Sequence, residues 1–221
     1  ATTEIYTLSL HDALPILLQK LERLSFENNN IETLPDQMGD LSALQSLDLN
    51  HNRLVAIPKS MNKLPNLISL GIGENKITEF PLSLHDHPNL VILDLSKNPI
   101  KMLGESLIQG FSALKRFYLE DMHFDTLPST FQNLTQLEFL DLNENYFKKI
   151  PVVLLKLLCL KTVLLMNNSI DPTEPDNAET LSILRNRNVE VIITQEEYKK
   201  HQNGKKGHII IHQGDHQLYP R

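Results

Sequence analysis

Three groups of residues have the types and spacing to do chemistry. His85-Asp86-His87 has metal-like spacing, and His208, His212 and His216 lie four residues apart, which on a helix would suit a metal ion. Cys159, the single cysteine, would need a nearby histidine to act as a nucleophile. Asp48, Asp94 and Asp141 are carboxylates that a pocket could turn into proton-transfer groups. Each group has a plainer reading. His87 falls in a column otherwise held by large apolar residues, so a partly buried histidine with one hydrogen bond is expected. The isoleucines at 209–211 and Gly214-Asp215 oppose a helix through the later histidines, leaving a solvated tail. Cys159 precedes a core leucine and should be a packed thiol, and the three aspartates lie on a regular surface grid that implies no pocket. There is no G-x-x-x-x-G-K-[ST] and no G-x-S-x-G, and Gly204-Lys-Lys-Gly207 is not a phosphate loop. No catalysis, cofactor or metal site is expected.

The elements that position these residues come from a repeat. The pattern L-x-x-L-x-L-x-x-N-x-L recurs seven times, with first leucines at Leu21, Leu44, Leu67, Leu90, Leu114, Leu137 and Leu160. The steps are 23 residues, apart from one of 24 before Leu114. The first copy reads Leu21, Leu24, Phe26, Asn29, Ile31 and the second Leu44, Leu47, Leu49, Asn52, Leu54. Over residues 17–170 this resembles the leucine-rich repeat family. The resemblance implies an α/β fold, a curved solenoid with a parallel β-sheet on its concave face. A second signature, apolar-Pro, marks the return arm at Leu34-Pro35, Ile57-Pro58, Phe80-Pro81, Leu127-Pro128 and Ile150-Pro151, where proline fixes the turn out of the sheet. The fourth repeat has Leu103-Gly104 instead. The period and the Leu-Pro arm look like the intracellular scaffold class of the family, which includes Ras-pathway scaffolds and many bacterial and archaeal repeat proteins.

In each copy the apolar residues alternate about a short strand, so Leu47 and Leu49 point inward and Asp48 outward. Stacking should align Leu47, Leu70, Leu93, Phe117 and Leu140 as one inner ridge. The column Asn29, Asn52, Asn75, Asn98, Asn145, Asn168 can satisfy backbone groups between coils. Met122 interrupts it, which predicts a local distortion. Two more columns re-enter the core from the return arm: Met38, Met61, Leu84, Leu107, Phe131, Leu154, and Leu41, Leu64, His87, Phe111, Leu134, Leu157. Residues 171–194 should cap the solenoid. Asp176 can N-cap a helix over 178–187, and Val189 and Val191 should follow Val163 and Leu165 as an eighth strand. Residues 195–221 are polar and read as a tail, with a weak hairpin at Asn203-Gly204.

Residues 1–16 do not belong to this pattern. They resemble the translated end of a common sequencing-library adapter, so the native chain is expected to enter near Leu17, as a fragment whose own N-terminus is missing. Leaving out Glu4 and Asp12 moves the net charge from −6 to about −4. A mildly acidic chain speaks against a nucleic-acid partner. The longest apolar stretch, 151–166, contains Lys156 and Lys161 and stays in register, so it reads as stacked core rather than a membrane span. A single cysteine, and none in the C-terminal flank, favours a reducing compartment and a cytoplasmic location.

The informative surface is the outward face of the sheet. Repeats one to three present small and polar groups there. Repeats four to seven present Ile92, Arg116, Tyr118, Phe139, Leu164 and Met166, ringed by Asp94, Glu120, Asp141 and Glu144. Aromatic residues and arginine surrounded by charge resemble a protein-binding hot spot. The partner-binding set is therefore Ile92, Asp94, Arg116, Tyr118, Phe139, Asp141, Leu164 and Met166. The expected function is protein–protein recognition by a monomeric scaffold in signal transduction. The resemblance also admits the substrate-recognition arm of a larger ubiquitin ligase, kinase or GTPase, and a receptor ectodomain, which the cysteine-free C-terminal flank argues against.

Overall fold

The structure, a computed structural model, describes residues 20–84, 87–101, 103–104 and 110–204. Residues 1–16, His85, Asp86, Leu107 and the histidines beyond 204 lie outside these, as do the expected hairpin's strands.

Each repeat contributes one three-residue strand: β1 (Arg23–Ser25), β2 (Ser46–Asp48), β3 (Ser69–Gly71), β4 (Ile92–Asp94), β5 (Arg116–Tyr118), β6 (Phe139–Asp141) and β7 (Thr162–Leu164). An eighth, β8 (Glu190–Ile192), follows α1 (Pro175–Asn186), and α2 (Gln195–Gly204) comes last. The strands form a single parallel sheet in chain order. The middle residue of each strand pairs with the next: Leu24, Leu47, Leu70, Leu93, Phe117, Leu140, Val163, Val191. From Leu47 to Val163 this ridge has no exposed surface. Burial of one aliphatic side chain is worth roughly 1.5–3 kcal/mol, so the ridge alone outweighs any single surface contact.

The return arms are 3-10 turns, as at Asp36–Asp40 and Lys59–Lys63, each started by the proline of the apolar-Pro pair. Proline at 35, 58, 128 and 151 has the extended φ,ψ that leads into the turn. Each turn drops one side chain into the core: Met38, Met61, Leu84, Phe131, Leu154. Short turns of this kind let a coil close within 23 residues.

The asparagine column ties coil to coil. Asn52 Nδ2 donates to the carbonyls of Phe26, Leu49 and Asn50 at 2.9, 3.0 and 3.2 Å, while its Oδ1 accepts the Ile31 N–H at 3.0 Å. Asn75, Asn98, Asn145 and Asn168 repeat this set. The residue before each member of the column is left-handed: Asn28, His51, Glu74, Lys97, Asp121, Glu144 and Asn167 have φ between 52 and 57°. At Met122 the expected distortion is present. His123, directly after it, is also left-handed with φ 62°, which no other coil shows at that position.

The C-terminal cap departs from expectation in three ways. The α1 helix begins at Pro175, with Glu174 at its N-cap, so Asp176 lies inside the first turn and pairs with Lys149 instead of capping. Proline at the first position, with φ already helical, moved the start forward. The eighth strand is shifted: Val191 pairs with Val163, so it is Ile193, not Val191, that comes after Leu165 in the stack, and Ile192 points outward beside Leu164. Third, the tail expected from residue 195 begins as a helix. Thr194 Oγ1 accepts the Glu197 N–H at 3.2 Å, and Glu197 Oε2 accepts the Thr194 N–H at 3.1 Å. That reciprocal pair is a capping box, and it starts α2.

Candidate functional site

The outward sheet face carries two rows of side chains. One runs Ser46, Ser69, Ile92, Arg116, Phe139, Thr162, Glu190, and the other Asp48, Gly71, Asp94, Tyr118, Asp141, Leu164, Ile192. Parallel pairing in register puts each residue beside its counterpart one coil away, so residues 23 or 24 apart in sequence become neighbours.

The structure does bring the eight expected residues together, on β4 to β7 and the turn after β7. It does not leave them open. Ile92, Arg116 and Tyr118 are half-buried, whereas Asp94, Phe139, Asp141, Leu164 and Met166 are buried, Leu164 completely. Phe139, Leu164, Met166 and Ile192 form a second apolar cluster, separate from the main core, with Tyr118 and Tyr198 packed against it. The rings of Tyr118 and Phe139 lie 5.2 Å apart at 44°. The expectation of an exposed patch fails because the outward face is closely packed along its length, with Ser46, Asp48 and Ser69 buried too, and because β8 and α2 add two side chains at its C-terminal end. Ile192 and Tyr198 are the members that the sequence reading missed. The signals were there: Ile192 one register step from Leu164, and Thr194-x-x-Glu197 as a helix start.

The acidic ring is also engaged. Asp48, Asp94 and Asp141 each accept the N–H two residues on through Oδ1, at 3.1, 2.9 and 2.9 Å, closing the turn that follows their strand. Their grid is thus partly a backbone device. Burial pushes the Asp141 carboxyl up to about 8, helped by Glu120, Asp94 and Glu144 and opposed by the Asn143 N–H. Burial likewise lifts the Tyr118 phenol to about 12, with Arg116 opposing and Asp94 and Asp141 assisting. Both groups are therefore neutral at pH 7. Lys97 lies 3.3 Å from Glu74 and 3.8 Å from Glu120. Burial acts to lower its pKa, but those two carboxylates outweigh it and hold the ammonium above its usual range.

The other described chemical candidates lie elsewhere. His87 is buried in its core column, and its carbonyl closes a turn with Leu90 N–H. Cys159 is exposed, contrary to the packed thiol expected, because it occupies the turn between buried Leu157 and Leu160 where other coils carry Asn66, Asn89 or Gln136. Among the described residues no three His, Cys, Asp or Glu side chains group to hold a metal ion. No described helix is long and apolar enough to cross a membrane.

Among solved structures, one chain of the Toll–Spätzle complex, a molecular hub in Drosophila development and innate immunity, is 25% identical with a TM-score of 0.61. The match covers 68% of this chain and 20% of that one. The Leptospira interrogans LRR protein LIC12759 is 24% identical over 79% of this chain and 55% of its own, with a TM-score of 0.47. This chain thus spans about half of one and a fifth of the other. A family model described as leucine rich repeat matches residues 6–54, 44–100 and 88–147. With the inner ridge in register, the asparagine ladder formed and that model matched over more than half its length, the chain belongs to the leucine-rich repeat family.

Proposed function

We propose that the chain binds a partner protein on the outward, concave face of its sheet at β4 to β6, without chemistry of its own. Membership of a family of interaction modules supports binding in general. The observation that carries the location is the half-buried trio Ile92, Arg116 and Tyr118, on adjacent strands and continuous with the Phe139–Leu164–Met166 cluster. An aromatic ring and an arginine beside a buried apolar floor make the arrangement that concentrates binding energy. Asp94 and Asp141 act from beneath, by shaping the turns that hold this floor. A monomeric scaffold in a reducing, cytoplasmic setting fits the single cysteine.

Replacing Ile92 by p-benzoylphenylalanine and irradiating the full chain in its native extract gives cross-linked partners. Tyr118→Ala with Arg116→Ala should weaken binding of a partner so identified by more than about 2 kcal/mol, with the far-UV spectrum unchanged. Unaltered affinity would reject the site. A second reading, a recognition arm within a longer protein, is favoured by the 20% of the matched Toll–Spätzle chain that this one spans.

A further inference from the structure

The end of the solenoid is covered twice, and the core needs only one of the covers. Helix α1 and β8 deliver Leu181, Leu184, Val189 and Val191 to the main core and seal its last coil. Helix α2 delivers nothing there. Its single large apolar side chain, Tyr198, packs instead on the Phe139–Leu164–Met166–Ile192 cluster, on the opposite face of the sheet. Two further contacts of α2 are polar. Glu197 meets Arg185 of α1 at 2.7 Å, and buried His201 meets Glu190 of β8 at 2.6 Å. A ten-residue polar helix has little stability of its own, so its order depends on this seat and on its capping box.

We propose that α2 is an internal stand-in for a helix from another protein, and that its seat takes a partner segment with the same three features. These are an aromatic anchor in place of Tyr198, a carboxylate one residue earlier for Arg185, and a histidine three residues later for Glu190. The inference rests on the concave-face reading and deepens it: the apolar floor beside Ile92, Arg116 and Tyr118 is released when α2 swings out. A tethered helix competes at an effective concentration of roughly millimolar, so only a partner that binds better than α2 itself gains access. The seat thus screens out weak helices.

Hydrogen exchange on the full chain tests the release. Amides of α2 should exchange at least 100-fold faster than those of β6 and β7, through an opening that leaves the strands protected. A hydrocarbon-stapled peptide copying residues 194–204 should bind the full-length Tyr198→Ala chain at least tenfold more tightly than the unaltered chain. The same peptide carrying Tyr198→Ala should not bind. Strand protection in the variant verifies that it folds, and Lys199→Ala, at an exposed site on α2, serves as a second control that should leave peptide binding as in the unaltered chain. Exchange of α2 only together with the strands would overturn the proposal, as would equal peptide binding to both chains or to neither. None of these measurements uses a natural partner, so their failure would leave the Arg116 and Tyr118 test standing on its own.

Discussion

The two halves of the outward sheet face are built on one frame and finished differently. In β2 and β3 the outward side chains are Ser46, Asp48 and Ser69, with Gly71 bare, while β6 and β7 carry Phe139, Asp141, Thr162 and Leu164 at the same positions. The inward ridge hardly changes, from Leu47 and Leu70 to Leu140 and Val163. Stacking dictates the inward residues, since each must fill the space between two coils. Nothing in the stack asks for Phe139 or Leu164, so large apolar groups there report a contact across the face. In the first half the face admits close packing of polar groups instead. A Cβ on Gly73 would lie 3.0 Å from Asp94 Oδ1 and 3.2 Å from Asn50 Oδ1, and its N–H already donates to Asn50 Oδ1 at 2.6 Å.

The largest expected effect comes from emptying the apolar half. Phe139→Ala should lower unfolding free energy by about 3–4 kcal/mol in chemical denaturation, because the ring is buried and its cavity cannot close over a sheet. A loss under 1 kcal/mol would mean the cluster is not packed. Next, Asn75→Ala and Asn98→Ala should each cost about 2–3 kcal/mol, and by similar amounts, since both leave the same backbone groups unpaired. Unequal losses would break the claim of a common frame. Asp141→Asn acts through pH. The folded-state pKa stands above the ordinary carboxylate value, so the fold holds a proton that the unfolded chain releases, and stability falls as pH rises from about 4 to 8. Asparagine keeps an oxygen for the Asn143 N–H and carries no charge. The variant should flatten that slope and gain about 1–2 kcal/mol at pH 8; a slope unchanged by the substitution would place the titration elsewhere. Smallest is Ser69→Ala in the polar half, where the buried hydroxyl has no hydrogen-bond partner, so its removal should change stability by no more than about 0.5 kcal/mol.

The frame was legible because its signal is periodic. Leu47, Leu70 and Leu93 recur at a fixed step, and each asparagine of the column sits where two coils must share backbone groups. Even the fault at Met122 could be foreseen, since a thioether cannot replace the amide, and the backbone answers with a second left-handed residue at His123. What lies over the sheet obeys no such period. The cover over Leu164 includes Tyr198, some thirty residues away in sequence, on a helix whose polar composition gave no sign of it. Exposure of Cys159 was hidden for a related reason: its apolar character suggested the core, while its place in the turn column, shared with Asn66 and Asn89, decided otherwise.

The missing amide at Met122 has one more consequence. Asn98 stitches the fourth coil to the third, and Asn145 stitches the sixth to the fifth, but among the described residues no side-chain amide crosses between the fourth and fifth, where Ser96 Oγ accepts the Glu120 N–H at 3.2 Å instead. Strand pairing still joins them, through Leu95 N–H to the Tyr118 carbonyl at 3.1 Å and Lys97 N–H to that of Glu120 at 2.8 Å. The solenoid is therefore two amide-stitched blocks, joined between the fourth and fifth coils by a serine hydroxyl, the Lys97–Glu120 contact and strand pairing. A pull along its axis is expected to part the molecule there first, through the candidate site, with Ile92 on one side and Arg116 and Tyr118 on the other.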